Sequence, residues 1–155
     1  MLAQEFSDQG CQQFIITGSA TGKVDKLNAT HYCLVENFDL QKNCLTCRGP
    51  IKASSESMTH GNLYKMDKNT KVVIHVHNNK MWKRLLHKIP TTDKNAQYGT
   101  PEIAKEVERL FLETNVKDQK IFVLEGHEDG IFSFGETFQE AYDIIYRIII
   151  NDEEI

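Results

Sequence analysis

The sequence predicts a mixed α/β domain in which strands and helices form layers. Apolar runs typical of buried strands, such as Lys-Ile-Phe-Val-Leu at 120–124, alternate with helical patterns, such as the apolar spacing over 103–111. Two further strand candidates, 31–38 and 44–48, are separated by a short polar turn, which favours a hairpin. Strands joined partly by hairpins and partly by helices indicate a layered α/β fold.

Length and composition fit one domain over residues 1–155, with flexible ends expected at 1–11 and 151–155. The net charge of -4 argues against nucleic acid or an anionic membrane surface as a partner. No apolar stretch reaches the length of a transmembrane helix, and residues 1–10 lack the pattern of a secretory signal. We therefore expect a cytoplasmic protein.

The first strand, 12–17, runs into a glycine-rich segment, Gly18-Ser-Ala-Thr-Gly-Lys23, that imitates a phosphate-binding P-loop. The spacing between the glycines is one residue short, and Val24 stands where a magnesium-binding hydroxyl is required. The segment therefore indicates a turn that leaves a strand. Its backbone N–H groups, with the hydroxyls of Thr17 and Ser19, could still hold the phosphate of a small substrate.

Ser54, Ser55 and Glu56 are predicted to open a helix, because a serine can cap the first N–H groups and a glutamate suits the positive helix end. The same N–H groups can also bind an anion. The next strand, 71–77, ends in His75-Val-His77. Residues two apart share one face of a strand, so the two imidazoles project together as ready ligands for zinc or a similar cation.

In the second half of the chain, the sequence pattern predicts a short helix at 81–86, a helix from Pro101 to Asn115 and then the strand 120–124. A glycine-flanked turn with His127 follows, and packing alone explains a histidine there poorly. The strand 131–134 and a last helix complete the pattern, and the inner face of that helix carries Ala141, Ile144, Ile145 and Ile148.

Cys44 and Cys47 form a single C-x-x-C pair among four cysteines. A zinc ribbon needs a second such pair, and a thioredoxin-like site needs the motif at a strand-to-helix junction. A reducing compartment also argues against structural disulfides. A redox or hydrolytic function of this pair remains a minor alternative.

The ordered set of motifs resembles the class II aldolase/adducin head-domain family from about Phe14 to Ile148. The matching segments are Ser54-Ser55-Glu56 followed by His60 and Tyr64, His75-Val-His77, Tyr98-Gly-Thr-Pro-Glu102, His127, and Gly135 with Glu140-Ala141. The resemblance implies a three-layer α/β/α domain around a central, mainly antiparallel sheet, assembled as a homo-oligomer, commonly a tetramer.

The resemblance also implies a divalent metal, usually zinc, held by His75, His77 and His127, with Glu56 as the acid/base carboxylate. By the same resemblance, Thr17, Gly18, Ser54 and Ser55 hold the phosphate of a small sugar-phosphate substrate. Three histidines leave an open position where a hydroxyl–carbonyl compound can chelate, and a desolvated carboxylate can shuttle a proton. The predicted activity is an aldolase/lyase reaction through an enediolate, which epimerisation and dehydration share.

The sequence departs from the family pattern in three places. Residues 1–11 contain no counterpart of the family's amino-terminal helices and Gly-Asn phosphate loop, and no tyrosine follows the last helix. The third histidine lies in Gly-His127-Glu128, with Asp129 next, where the family has Asn-His-Gly. These departures favour the alternative of a non-catalytic, adducin-like metal-binding or interaction domain, whereas the three histidines beside Glu56 favour the enzyme.

Overall fold

The computed structural model describes residues 3–4 and 13–153, with seven strands and five α-helices in those ranges. In chain order these are β1 Ala3–Gln4, β2 Gln13–Thr17, β3 Tyr32–Asp39, β4 Cys44–Arg48, α1 Ser57–Met66, β5 Val72–His77, α2 Asn79–Leu85, α3 Pro101–Glu113, α4 Val116–Gln119, β6 Ile121–Val123, β7 Gly130–Gly135 and α5 Phe138–Glu153. The predicted mixed α/β class is confirmed. None of the described helices is long and apolar enough to cross a membrane.

The strands pair antiparallel, as expected, and their hydrogen bonds divide them into two sheets. One sheet has the order β1-β2-β3-β4, which includes the predicted β3–β4 hairpin, and the other has the order β5-β7-β6. Side chains join the two sheets, because Phe14 and Val35 of the first lie in the same buried cluster as Phe122 and Phe132 of the second. The two sheets therefore share one core.

The β5-β7-β6 sheet is covered by helices on both faces. One face carries Val73, Phe132 and Phe134, which belong to a buried cluster with residues of α1 and α3. The opposite face carries Ile131 and Val123, which pack with residues of α2 and α5. This arrangement is the predicted α/β/α layering.

Helix α1 begins at Ser57, later than the sequence predicted. The reason is a turn at Ser54, whose hydroxyl accepts from the N–H of Glu56 and whose carbonyl accepts from the N–H of Ser57. Ser54 therefore orders the entry to the helix without capping it. The predicted end of α3 at Asn115 was also slightly late, because α3 ends at Glu113 and Asn115 instead precedes the short helix α4.

The predicted flexible ends lie largely outside the described residues. Residues 1–2, 5–12 and 154–155 are not described, while the backbone of Ala3–Gln4 pairs with β2 and α5 runs through Glu153. The flexibility of both ends stays a prediction.

Candidate metal centre

Two histidines project from one face of β5, as the strand alternation predicts. His75 lies opposite Phe132 and His77 opposite Gly130 in the β5–β7 ladder, which sets both on the face that packs toward α1 and α3. Their ring centroids are 4.6 Å apart. The end of β5 therefore presents two adjacent imidazoles beside the β6–β7 turn.

His127 joins this pair from the turn between β6 and β7. Its ring centroid lies 4.7 Å from that of His77 and 5.5 Å from that of His75. The ligand nitrogens of the three histidines all lie within 4.8 Å of one another. Such a group could hold a divalent transition metal, for which imidazole nitrogen is a common ligand.

The turn that carries His127 is held tightly. The N–H of Gly130 donates to the carbonyl of His127 at 3.0 Å, and the N–H of Leu124 donates to the carbonyl of Gly130 at 3.0 Å. A Cβ on Gly126 would lie 2.3 Å from the carbonyl oxygen of Ala96, so only glycine fits there. The backbone on both sides of His127 is thereby fixed.

Glu56 reaches the same site from the residue that precedes α1. Its side chain is 1% exposed, and Oε2 accepts from the Thr59 hydroxyl at 2.8 Å. Oε1 lies 2.9 Å from Nδ1 of His127, yet the contact lacks the alignment of a hydrogen bond. The carboxylate and the imidazole thus approach closely while their facing atoms stay without a hydrogen-bond partner.

The electrostatics keep the imidazoles in the form that binds metal. Burial, followed by the neighbouring histidines, lowers the pKa of His75 to about 2. Burial is also the main cause that lowers the pKa of His77, against the opposing effect of Asp129 and Glu56. A neutral imidazole has a free lone pair, so both histidines are available as ligands at physiological pH.

The buried atoms without partners fit a cation at this site. Among the described residues, Nε2 of His75, Nδ1 of His127 and Oε1 of Glu56 are buried and make no hydrogen bond. Leaving such groups unpaired is costly, and a bound cation would satisfy all of them. The donor set of three imidazoles and one carboxylate suits zinc and related transition metals.

Aromatic rings support the histidines from both sides. Phe132 stacks on His75 with ring centroids 4.4 Å apart and an interplanar angle of 10°. Tyr98 stacks on His127 at 4.2 Å and 27°. The sequence alone assigned neither aromatic residue a contact with a histidine. The pairing of β5 with β7 could have suggested Phe132, but the loop position of Tyr98 gives no local signal.

His60 lies behind the site on α1 and is 2% exposed. Its ring meets Phe132 edge-on at 5.4 Å, and its Nδ1 has no hydrogen-bond partner among the described residues. Burial lowers the pKa of His60 to about 3. It is therefore a neutral buried imidazole at physiological pH.

Carboxylates line the rim of the site next to His127. The side-chain amide of Asn79, at the start of α2, donates to Oδ1 of Asp129 at 2.6 Å and to Oε1 of Glu128 at 3.3 Å. Asp129 adopts a left-handed backbone with φ of 70°. These hydrogen bonds hold both carboxylates against α2, so Glu128 and Asp129 have fixed positions beside the three histidines.

Three of the four predicted phosphate-binding residues lie together at the junction of β2 and α1. Gly18 pairs with Ala53, and the N–H of Ser54 donates to the carbonyl of Thr17 at 3.2 Å. The N–H of Gly18 donates to the carbonyl of His31 at 2.9 Å. Ser55 lies exposed next to this junction. The N–H groups of Gly18 and Ser54 are therefore already occupied by carbonyl oxygens of the chain.

Comparison with known proteins identifies the family of this chain. The model of the "Class II Aldolase and Adducin N-terminal domain" family matches residues 7–149. The chain belongs to this family. The resemblance predicted from the motifs is thus confirmed, and the class II aldolase and adducin fold accounts for the layering of sheets and helices described above.

Solved aldolases share the fold. An L-fuculose 1-phosphate aldolase superposes with a TM-score of 0.65 and 16% identity over 89% of this chain and 66% of that one. A sugar-phosphate aldolase from Thermotoga maritima superposes with a TM-score of 0.62 and 15% identity, over 95% and 78% of the two chains. The chain thus spans just under two thirds of the fuculose-phosphate enzyme. Comparison with curated protein sequences finds no match.

Proposed function

We propose that this class II aldolase/adducin domain is a divalent-metal-dependent lyase of the aldolase type. Its substrate would be a small phosphorylated sugar or a related hydroxy-carbonyl compound, and the functional form a homo-oligomer. One observation carries the proposal: Oε1 of the buried Glu56 lies 2.9 Å from Nδ1 of His127, in a cluster of three histidines. A structural role does not require an acid/base group beside three clustered imidazoles.

His75, His77 and His127 would hold the ion, which is zinc or another divalent transition metal. When bound, the ion supplies Lewis-acid stabilisation of the negative charge that develops on the substrate oxygen. The stacked rings of Phe132 and Tyr98 hold two of these imidazoles in place. Three imidazole ligands would leave a coordination position for a hydroxyl–carbonyl pair.

In the cleavage direction, Glu56 would return a proton to the substrate carbon that is released when the carbon–carbon bond breaks, and in the reverse direction it would remove that proton. Thr59 donates to Oε2, which leaves Oε1 as the atom that faces the histidines. A buried carboxylate at this place has the reach and the restricted motion that general acid/base catalysis needs. The hydroxyls of Thr17, Ser54 and Ser55 are proposed to hold the substrate phosphate beside it.

Metal analysis tests the proposal. Protein purified under native conditions should contain about one transition-metal ion per chain by mass spectrometry, and His75→Ala and His127→Ala should both lose it. His87→Ala is the matched control, because the His87 side chain is 64% exposed and pairs with Glu125. The wild type should then cleave a sugar phosphate to an aldehyde and a ketone phosphate, detected by coupled reduction. If the purified wild type contains no metal and takes up none when metal is titrated into it, the proposal is refuted.

A non-catalytic adducin-like binding domain is the second candidate, and the phosphate site favours it. The N–H groups of Gly18 and Ser54, which could have cradled a phosphate, are already bonded to His31 and Thr17. The carboxylates of Glu128 and Asp129 also disfavour an anionic substrate near the ion. A protein that binds one metal per chain but cleaves no sugar phosphate in a panel of ketose and aldose phosphates would support this second candidate.

A further inference from the structure

Cys33 and Cys47 lie beside each other on neighbouring strands of the four-stranded sheet. Cys47 of β4 stands directly opposite Val35 of β3, so the register makes Cys47 a diagonal neighbour of Cys33. Residues two apart share one face of a strand, so these three side chains point to the same face. Cys33 is 3% exposed, whereas Cys47 is exposed on an edge strand. One buried and one accessible thiol therefore lie side by side.

The backbones of the two strands approach closely next to this pair. Gly49 directly follows β4, and a Cβ added to it would lie 2.8 Å from both Cα and Cβ of Cys33. Glycine places no side chain there, so the next side chain of β4 on this face is that of Cys47. The acidity of Cys33 reflects the same neighbour: burial is the main cause that raises the pKa of Cys33, and the adjacent Cys47 thiol raises it further.

The C-x-x-C motif is not the pair that the fold brings together. Cys44 and Cys47 are three residues apart on β4, and an odd spacing along a strand places side chains on opposite faces. Cys44 stands opposite Asp39, at the other end of the β3–β4 ladder from Cys33. Among the described residues, the cysteine that shares a face with Cys47 is therefore Cys33 and not Cys44.

We propose that Cys33 and Cys47 form a reversible disulfide on exposure to a low-molecular-weight disulfide such as oxidised glutathione. The exposed Cys47 reacts first: its thiolate bonds to one sulfur of oxidised glutathione, and the other sulfur leaves as a glutathione thiolate. Cys33 then gives its proton to water, attacks the Cys47 sulfur and releases the second glutathione. In total the two cysteines lose two electrons and two protons, which reduce one oxidised glutathione to two thiols. The proposal does not depend on the metal site.

The position of the pair favours a reversible disulfide over a permanent one. Diagonal neighbours in an antiparallel sheet have Cα atoms about 7–8 Å apart, slightly beyond the span of about 4.4–6.8 Å that a relaxed disulfide covers. Because β4 is an edge strand, a small shift of its backbone toward β3 can close this gap. A strained disulfide with an accessible sulfur is readily reduced by thiols. A reducing compartment therefore keeps the pair as thiols until its disulfide pool becomes oxidising.

Non-reducing mass spectrometry of the full chain after incubation with oxidised glutathione tests the pair. The wild type should become lighter by about 2 Da, and dithiothreitol should restore the original mass. Trypsin should then release peptide 27–42 joined to peptide 43–48, which contain Cys33 and Cys47. Cys44→Ser is the matched control, because it removes the other exposed cysteine of β4 and should form the same link.

Cys47→Ser separates disulfide formation from folding, because the side chain that it changes is exposed. The variant should keep the circular dichroism spectrum of the wild type and should leave Cys33 as a free thiol. Cys33→Ala should stop at a mixed disulfide between Cys47 and glutathione. The proposal is overturned if the wild type forms no internal disulfide or keeps a glutathione on Cys47. A link from Cys47 to Cys44 or Cys11, or a Cys33 that is still oxidised in Cys47→Ser, would overturn it equally.

Discussion

Oε1 of Glu56 and Nδ1 of His127 lie 2.9 Å apart without forming a hydrogen bond. Glu56 precedes a helix and His127 occupies a turn between strands, so only the folded chain brings the two atoms together. Both atoms are buried and have no hydrogen-bond partner among the described residues. A cation bound beside both atoms would supply the partner that each of them lacks.

Glu56→Gln should separate catalysis from metal binding. The amide keeps the size and shape of the carboxylate but cannot carry a proton, so sugar-phosphate cleavage should fall by about 10²–10⁴-fold. The three histidines remain and the glutamine amide oxygen can replace Oε1 as a donor, so metal content should stay near one ion per chain. Metal analysis and steady-state rates measure both quantities. Glu113→Gln, at an exposed position of α3, is the control, and an unchanged rate in Glu56→Gln would show that the carboxylate is not the acid/base group.

Tyr98 should tune metal affinity through its contact with His127. The two rings stack at 4.2 Å, and an aromatic contact of this kind contributes about 0.5–1.5 kcal/mol. Tyr98→Ala should therefore weaken zinc binding by about two- to tenfold, as measured by competition with a chromophoric chelator. Tyr98→Phe keeps the ring and should bind zinc as the wild type does. Equal affinity in Tyr98→Ala would mean that the turn alone orients His127.

The sequence is informative where a short-range pattern determines geometry. The alternation of side chains along a strand is enough to predict that His75 and His77 share one face, and the β5–β7 register agrees with that prediction. The unusual position of His127 after a core strand is equally visible in the sequence. The order of the motifs then points to the family, which the family model confirms.

Sequence patterns are misleading where competing contacts decide the outcome. Ser54 is a residue type that commonly caps helices, but its hydroxyl accepts a hydrogen bond from the N–H of Glu56, and the helix starts at Ser57. The residue pattern within each strand also could not reveal that the strands form two separate sheets. The two sheets meet only through side chains far apart in sequence, such as Phe14 and Phe132. The same holds for Tyr98, which reaches His127 from a long loop.

Gly126→Ala should disturb the metal site through the backbone. An added Cβ would lie 2.3 Å from the carbonyl oxygen of Ala96, so the turn must shift or the variant must lose stability. Overpacking of this kind costs about 1–3 kcal/mol. Urea unfolding should show the loss, and zinc affinity should fall because His127 is the next residue.

Gly22→Ala provides the matched control for this substitution. A Cβ at Gly22 would meet nothing within 4 Å, so the variant should keep both stability and zinc affinity. If Gly126→Ala and Gly22→Ala unfold at the same urea concentration, the close approach of Gly126 to Ala96 does not constrain the turn.

Acid should destabilise the metal-free protein through its buried histidines. Burial lowers the pKa of His60 to about 3, whereas an unfolded histidine titrates near 6.5. Below about pH 6.5 the unfolded chain takes up a proton at His60 that the folded protein does not, so stability falls as the pH decreases toward 3. At pH 5.0 this one residue should cost about 2 kcal/mol relative to pH 7.5. His75, with its pKa lowered to about 2, should act in the same direction.

His60→Gln isolates the contribution of His60. The substitution removes the titrating group, so the difference in unfolding free energy between pH 7.5 and pH 5.0 should shrink by about 2 kcal/mol, although the variant is less stable at both values. Urea denaturation of the metal-free protein measures that difference, and the exposed His87→Gln serves as the control. A wild type and a His60→Gln variant with the same pH dependence would mean that His60 already binds its proton in the folded state. The imidazole would then be a buried cation beside Phe132, and Nδ1 would need an acceptor that the described residues do not supply.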